Sequence, residues 1–249
     1  MLNLIIWIDI DTKPWVLQKF HRDLPSSDVF AYGRSKEEAT VPGPTIKAMV
    51  GVKTYVKWEN HLPDRHVFAV DPTLGEFNSS LPGVPTVVHV HGAASEPHSD
   101  GHALAWFTRA LQRKGSGWTK EVYEYENVVE MSGSWYHDHA DSYTRLNLLA
   151  GLVGVYKVVN PELEYHTWKL PHKRFEVDLV VTDHAFTRKG QIYMNATGNN
   201  PQIHPQWQVM HLHTYIYMYM LYVCMYIYIC VCVCVCVCVC VISFIPIYL

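Results

Sequence analysis

Pro85-Thr86-Val87-Val88-His89-Val90-His91 and Gly133-Ser134-Trp135-Tyr136-His137-Asp138-His139 set the architecture of this chain. The first is rich in β-branched residues and reads as a buried strand. The second closes an aromatic run of the same extended kind. Side chains alternate faces along a strand, so residues i and i+2 point the same way. His89 and His91 therefore share one face of their strand, and His137 and His139 share one face of theirs. Two such strands side by side offer four imidazoles, which suit copper, zinc, iron or nickel. Each pair read alone is more simply a strand face with two hydrogen-bonded histidines. Both pairs together, beside Gly and aromatic residues, point to a metal.

Short apolar or alternating runs recur on either side of these stretches. Val50–Trp58 alternates, placing Val50, Val52, Thr54, Val56 and Trp58 on one face and Lys53, Tyr55 and Lys57 on the other. Glu121–Tyr125, Val153–Val159 and Glu176–Thr182 read as further strands. Pro42-Gly43-Pro44 and Leu81-Pro82-Gly83 read as turns, and Tyr143–Leu149 as the best short helix. Many short strands with few helices predict an all-β sandwich. Asn160-Pro161 marks its exit.

The 249 residues carry 20 Lys and Arg against 23 Asp and Glu, a formal charge of -3. They form no basic patch, so no nucleic-acid partner is expected. All seven Cys lie between Cys224 and Cys240, and residues 209–249 contain no Asp, Glu, Lys or Arg. That stretch is long enough to cross a bilayer, which takes roughly 20 apolar residues. Its order argues otherwise. Tyr-Ile, Tyr-Met and Val-Cys repeats are what alternating purine–pyrimidine DNA encodes, and Gln208-Val209-Met210 accommodates a splice donor. Residues 209–249 are expected to be a low-complexity tail translated from an intron. That tail should hold no genuine membrane segment and should not pack on the sandwich, and His211 and His213 should hold no metal. At the other end, Met1–Ile8 is apolar but lacks a basic region and meets Asp9 and Asp11 at once. It is an atypical leader and no clear signal peptide. Sequons at Asn78 and Asn195 fit a secreted glycoprotein.

Several separate motifs together resemble the first cupredoxin domain of the multicopper oxidases. They are Thr86–Gly92, Ser99-Asp100-Gly101, Ala105-Trp106-Phe107, Trp135–Ala140, Thr144–Asn147 and Ala150–Gly154, in that order. The likeness runs over residues 14–208 and is strongest to the branch holding bacterial spore-coat laccases and plant low-phosphate-root ferroxidases. Lys19–Pro25 and Val41–Thr45 favour the plant group. The resemblance implies a cupredoxin-like Greek-key β-sandwich over residues 14–160. A leader at 1–13 would precede it, and an incomplete second cupredoxin domain at 161–208 would follow.

The resemblance also implies roles. His89 would be a type 2 copper ligand, and His91, His137 and His139 would bind the type 3 pair. Asp100 matches a carboxylate near the trinuclear site of the bacterial members, where it would hydrogen-bond a water and relay protons. An Asp before Gly is also an ordinary turn. Asp138 sits between two ligands, faces away from them, and is expected to make structural hydrogen bonds. His98 and His102 read as solvated loop residues, and Trp106, Phe107, Trp135 and Tyr136 as core aromatics. The family's four other cluster histidines and its type 1 Cys have no counterpart in residues 1–208. The chain is thus expected to be an inactive fragment of a copper-dependent oxidoreductase. The full-length protein would oxidise Fe(II) and reduce O2 to water, in the apoplast or endoplasmic reticulum, within the plant phosphate-starvation response. The alternatives are a laccase-type oxidase of phenols or bilirubin-like pigments, and a non-enzymatic copper-binding fragment.

Overall fold

The computed structural model describes residues 6–35, 37–70, 77, 81–170, 176–194 and 240–244. Two four-stranded sheets carry the fold. The first runs β2 (Ser27–Gly33), β1 (Ile6–Gln18), β4 (Thr54–Asn60) and β6 (Val122–Tyr125). The second runs β3 (Gly43–Met49), β8 (Val153–Val159), β7 (Met131–Asp138) and β5 (Val88–His91). β1 with β4 and β3 with β8 are parallel, and the remaining pairs are antiparallel. Phe30, Tyr32, Val56, Trp58, Val90, Tyr136 and Tyr156 fill one continuous core. This is the all-β sandwich that the strand pattern predicts.

β4 shows why the pattern is legible. Thr54, Val56, Trp58 and Asn60 are buried, while Tyr55, Lys57 and Glu59 between them are part-exposed. The strand starts at Thr54 rather than Val50 because Gly51, at φ +73, turns the chain and Val52 N–H bonds back to Met49 C=O. Gly43 and Pro44 lie inside β3 and not in a turn. β3 is a sheet edge, where the N–H that Pro lacks is not needed for pairing. The helix α1 spans Thr144–Ala150, one residue along from expectation. It stops at Gly151 (φ +121), where a Cβ would lie 2.4 Å from the Phe30 carbonyl oxygen.

β1 runs through residue 13, and its Ile6–Thr12 pairs in register with Thr54–Asn60. The alternation Ile6-Trp7-Ile8-Asp9-Ile10-Asp11 is a strand period in its own right. Within the tail, which is expected not to pack on the sandwich, Cys240–Phe244 forms β10, antiparallel to β9 (Val177–Val181) in a two-stranded sheet. Cys-Val-Ile-Ser-Phe has the β-branched and aromatic character that pairs with an open strand. Asn78, Asn195, His211 and His213 lie outside the described residues. Among the described residues, no helix is long and apolar enough to cross a membrane.

Candidate metal centre

β5 and β7 lie side by side with Val88 opposite Asp138, His89 opposite His137, Val90 opposite Tyr136 and His91 opposite Trp135. The pleat sorts these residues into two sets. Val88, Val90, Tyr136 and Asp138 are at most 1% exposed and face the sandwich interior. His89, His91, Trp135 and His137 share the outward face, and His139 continues their row.

All four histidines come together there. The His89 ring centroid lies 5.6 Å from His91, 5.5 Å from His137 and 5.1 Å from His139. His137 is 5.6 Å from His91 and 5.9 Å from His139. One nitrogen each from His89, His91 and His137 lies within 4.8 Å of the others. His139 joins through its ring contacts, outside that tight trio.

Hydrogen bonds fix which nitrogen two of the rings offer. His89 Nδ1 donates to the Asp100 carbonyl at 2.6 Å, and His137 Nδ1 to the Asp138 carbonyl at 2.8 Å. Each ring is left with its Nε2 lone pair. His91 Nδ1 stands 3.4 Å from His137 Nε2. Two nitrogens sharing one tetrahedral ion at about 2.1 Å are roughly 3.4 Å apart. His139 Nδ1 is buried and has no hydrogen-bond partner among the described residues. Burial lowers the pKa of His137 to about 3 and also lowers those of His91 and His139, with the neighbouring His89 adding to it. Neutral imidazole is the form that binds metal. The residues fit a nitrogen-liganded ion.

Asp100 ends a short turn at Pro97–Ser99, and Gly101 follows at φ +76, where a Cβ would strike the Val88 carbonyl oxygen at 2.1 Å. The turn brings the Asp100 carbonyl onto His89 and leaves its half-exposed carboxylate 3.6 Å from the same nitrogen. Asp138 points inward. It accepts hydrogen bonds from Thr86 Oγ1 (2.7 Å), Val87 N (3.2 Å) and Ala140 N (3.1 Å), and burial raises its pKa to about 6. His98 and His102 are exposed, and His102 caps the turn at Leu104. Trp106, Phe107 and Tyr136 are core aromatics. Trp135 is not. It stands on the histidine face, because residue 135 shares the strand period of 137 and 139.

Over 191 residues the chain is 53% identical to multicopper oxidase LPR1 of Arabidopsis thaliana, covering 76% of this chain and 33% of that protein. It is 52% identical over 193 residues to multicopper oxidase LPR1 homolog 3 of Oryza sativa, 77% of this chain and 36% of the relative. The chain belongs to the multicopper oxidase family. A laccase of Bacillus subtilis is 37% identical over 185 residues, 74% of this chain and 35% of the laccase. The fold is similar to that of the McoA multicopper oxidase of Aquifex aeolicus, with a TM-score of 0.54 at 16% identity, covering 77% of this chain and 36% of that one. The sandwich is thus cupredoxin-like. No family model matches the chain. This multicopper oxidase chain spans about a third of the length of the curated relatives it matches.

Proposed function

We propose that this chain carries the first-domain half of a trinuclear copper site in an oxidase that couples a one-electron donor to reduction of O2 to water. The observation that carries the proposal is the convergence of four imidazoles on one outward sheet face in a member of this family. His89 serves the type 2 ion, and His91, His137 and His139 serve the type 3 pair. Copper, when bound, supplies the one-electron redox chemistry. The Asp100 and Asp138 carbonyls orient two of the rings. The Asp100 carboxylate, half-exposed beside His89, exchanges protons with solvent and relays them to the site. For the plant branch the donor is Fe(II). The likeness to laccases supports a phenol or pigment as the second choice. The protein acts in the secretory pathway or outside the cell, glycosylated at Asn78 and Asn195.

Residues 1–208 hold no Cys, and type 1 copper draws its electron-transfer role from a thiolate held with two His. The 249-residue chain loaded with copper should therefore bind Cu(II) through its four histidines yet show no blue absorption and no turnover of Fe(II) or phenols. His91→Ala with His139→Ala should remove most of that binding. Copper-dependent Fe(II) oxidation above a no-protein control, lost in the double variant, would show that this half-site suffices alone. For the domain plan, a first cupredoxin domain over 14–160 and a second from 161, transcripts sequenced across Gln208 should mostly continue into further cupredoxin sequence. A dominant mature transcript encoding the Cys-Val repeat would sink the intron reading.

A further inference from the structure

We infer that Trp135 is a positioning residue for this site: its indole fixes the ring planes of His91 and His137 and keeps His91 with Nδ1 turned toward His137. The inference rests on the metal reading above. On the pleated grid of β5 and β7, the outward positions form a square of His89, His91, Trp135 and His137. Three corners carry candidate ligands. Trp135 takes the fourth, diagonal to His89, directly across from His91 and two residues before His137. An aromatic ring at that corner meets both imidazoles. The indole lies 4.0 Å from His137 at an interplanar angle of 28° and 5.2 Å from His91 at 18°.

Near-parallel stacking hinders the half-turn about Cβ–Cγ that would exchange Nδ1 for Nε2. His137 has a second restraint in its bond to the Asp138 carbonyl. His91 is exposed, and among the described residues His137 is the one hydrogen-bonding approach to its ring. The Ser134 hydroxyl, donating to the His91 carbonyl, holds the backbone but not the ring. Stacking on Trp135 is what sets the His91 plane. Core packing does not account for this tryptophan, which is part-exposed on the outward face.

The full chain as wild type, Trp135→Phe and Trp135→Leu tests this in two arms. In the metal-free arm, NMR of the imidazole protons reads the ring-current shift from a stacked indole and the orientation of His91. Wild type should show shifted His91 and His137 protons and one His91 orientation; Trp135→Leu should lose the shift and show two orientations. In the copper arm, chelator competition and electron paramagnetic resonance read affinity and the number of Cu(II) species. Trp135→Leu should lose about tenfold or more in affinity, the scale of lost ligand support, and give more than one species. Trp135→Phe, which keeps a flat ring, should stay within about threefold with one species. Trp135→Leu matching wild type in both arms overturns the inference, as does Trp135→Phe falling equally far with unchanged circular dichroism. If Trp135→Leu does not fold, the wild-type spectrum decides: a His91 ring without indole shift, or in two orientations, overturns it. Failure of wild type to bind Cu(II) removes the metal reading, while the metal-free arm still decides whether Trp135 orients the rings.

Discussion

The inward and outward sides of β5 and β7 are made from alternate residues of the same two strands, yet they answer to different demands. Inward, Val88, Val90, Tyr136 and Asp138 fill space, and the Tyr136 hydroxyl and the Asp138 carboxylate are hydrogen-bonded. Outward, His89, His91 and His137 point nitrogens at one another with few donors or acceptors to meet them. A sheet face chosen for packing would not leave that arrangement. The difference teaches that stability and chemistry separate residue by residue along a strand of period 2.

The largest effect should come from breaking the inward side. Tyr136 is fully buried, its hydroxyl donates to the Pro44 carbonyl at 2.8 Å, and its ring lies 5.1 Å from Tyr32 and 5.6 Å from Trp58. Tyr136→Ala should cost about 3–5 kcal/mol in urea unfolding. His91→Ala with His139→Ala, outward on the same surface, should change metal-free stability by less than about 1 kcal/mol. Equal losses in the two variants would mean that the outward face is also packing, and the contrast would collapse.

That contrast also explains what could be read from sequence. β4 and the strands bearing the histidines were legible because burial imposes a period on them, as in Thr54, Val56 and Trp58, and β8, buried throughout, was legible instead from its run of valines. Both His-x-His pairs were legible because the same period places i and i+2 together. β2 escaped notice because Ser27–Gly33 is buried almost throughout and has no alternation to read. β10 escaped because its pairing depends on Val177–Val181, about 60 residues earlier in sequence, which no local pattern reveals. At the site, the Asp100 carbonyl on His89 is a backbone group that only the Asp-Gly turn hints at. Trp135 had a signal, its spacing from His137, but large aromatics are more often core.

A middle-sized effect should separate support behind the metal strands from the face itself. His66 accepts at Nδ1 from Phe68 N–H (3.0 Å) and donates from Nε2 to Asn147 Oδ1 (3.1 Å), while Asn147 Nδ2 donates to the Pro85 carbonyl at the approach to β5 (2.9 Å). Burial lowers the His66 pKa from 6.5 to about 4. As pH falls, the unfolded chain takes up this proton first. The contribution of His66 is therefore whole above about pH 6.5 and is lost as pH falls toward 4, on the order of 3 kcal/mol at about 1.4 kcal/mol per unit. The ligand histidines shift the same way in metal-free protein, so the difference between wild type and His66→Gln is the measurement. His66→Gln should flatten the pH 4–6.5 window of urea stability; an unchanged slope would place the acid sensitivity elsewhere.

The smallest effect concerns the other half of the same outward surface. Lys157 on β8 sits in parallel register beside Lys47 on β3, an arrangement in which like charges repel. The Lys157 side chain is 5% exposed. Glu176 and Asp178, flanking the start of β9, answer both cations. Lys47 Nζ meets Glu176 Oε2 at 3.1 Å, Lys157 Nζ meets Asp178 Oδ1 at 2.7 Å and also Glu176, and Thr45 Oγ1 donates to Asp178 Oδ2 at 3.1 Å. Burial pulls the Lys157 pKa down, and the two carboxylates more than reverse it. Glu176→Gln with Asp178→Asn strands a buried ammonium and should cost about 2 kcal/mol, below the range for fully buried pairs because the carboxylates are part-exposed. Lys157→Met removes the charge and keeps an apolar stem, and should cost less than about 1 kcal/mol. Hydrogen exchange localises the result: in the double variant, amides of Val177–Val181 should exchange faster while those of β7 hold. Equal acceleration in both strands would mean that the ion cluster supports the histidine face as well, and that the two halves of this surface are one unit.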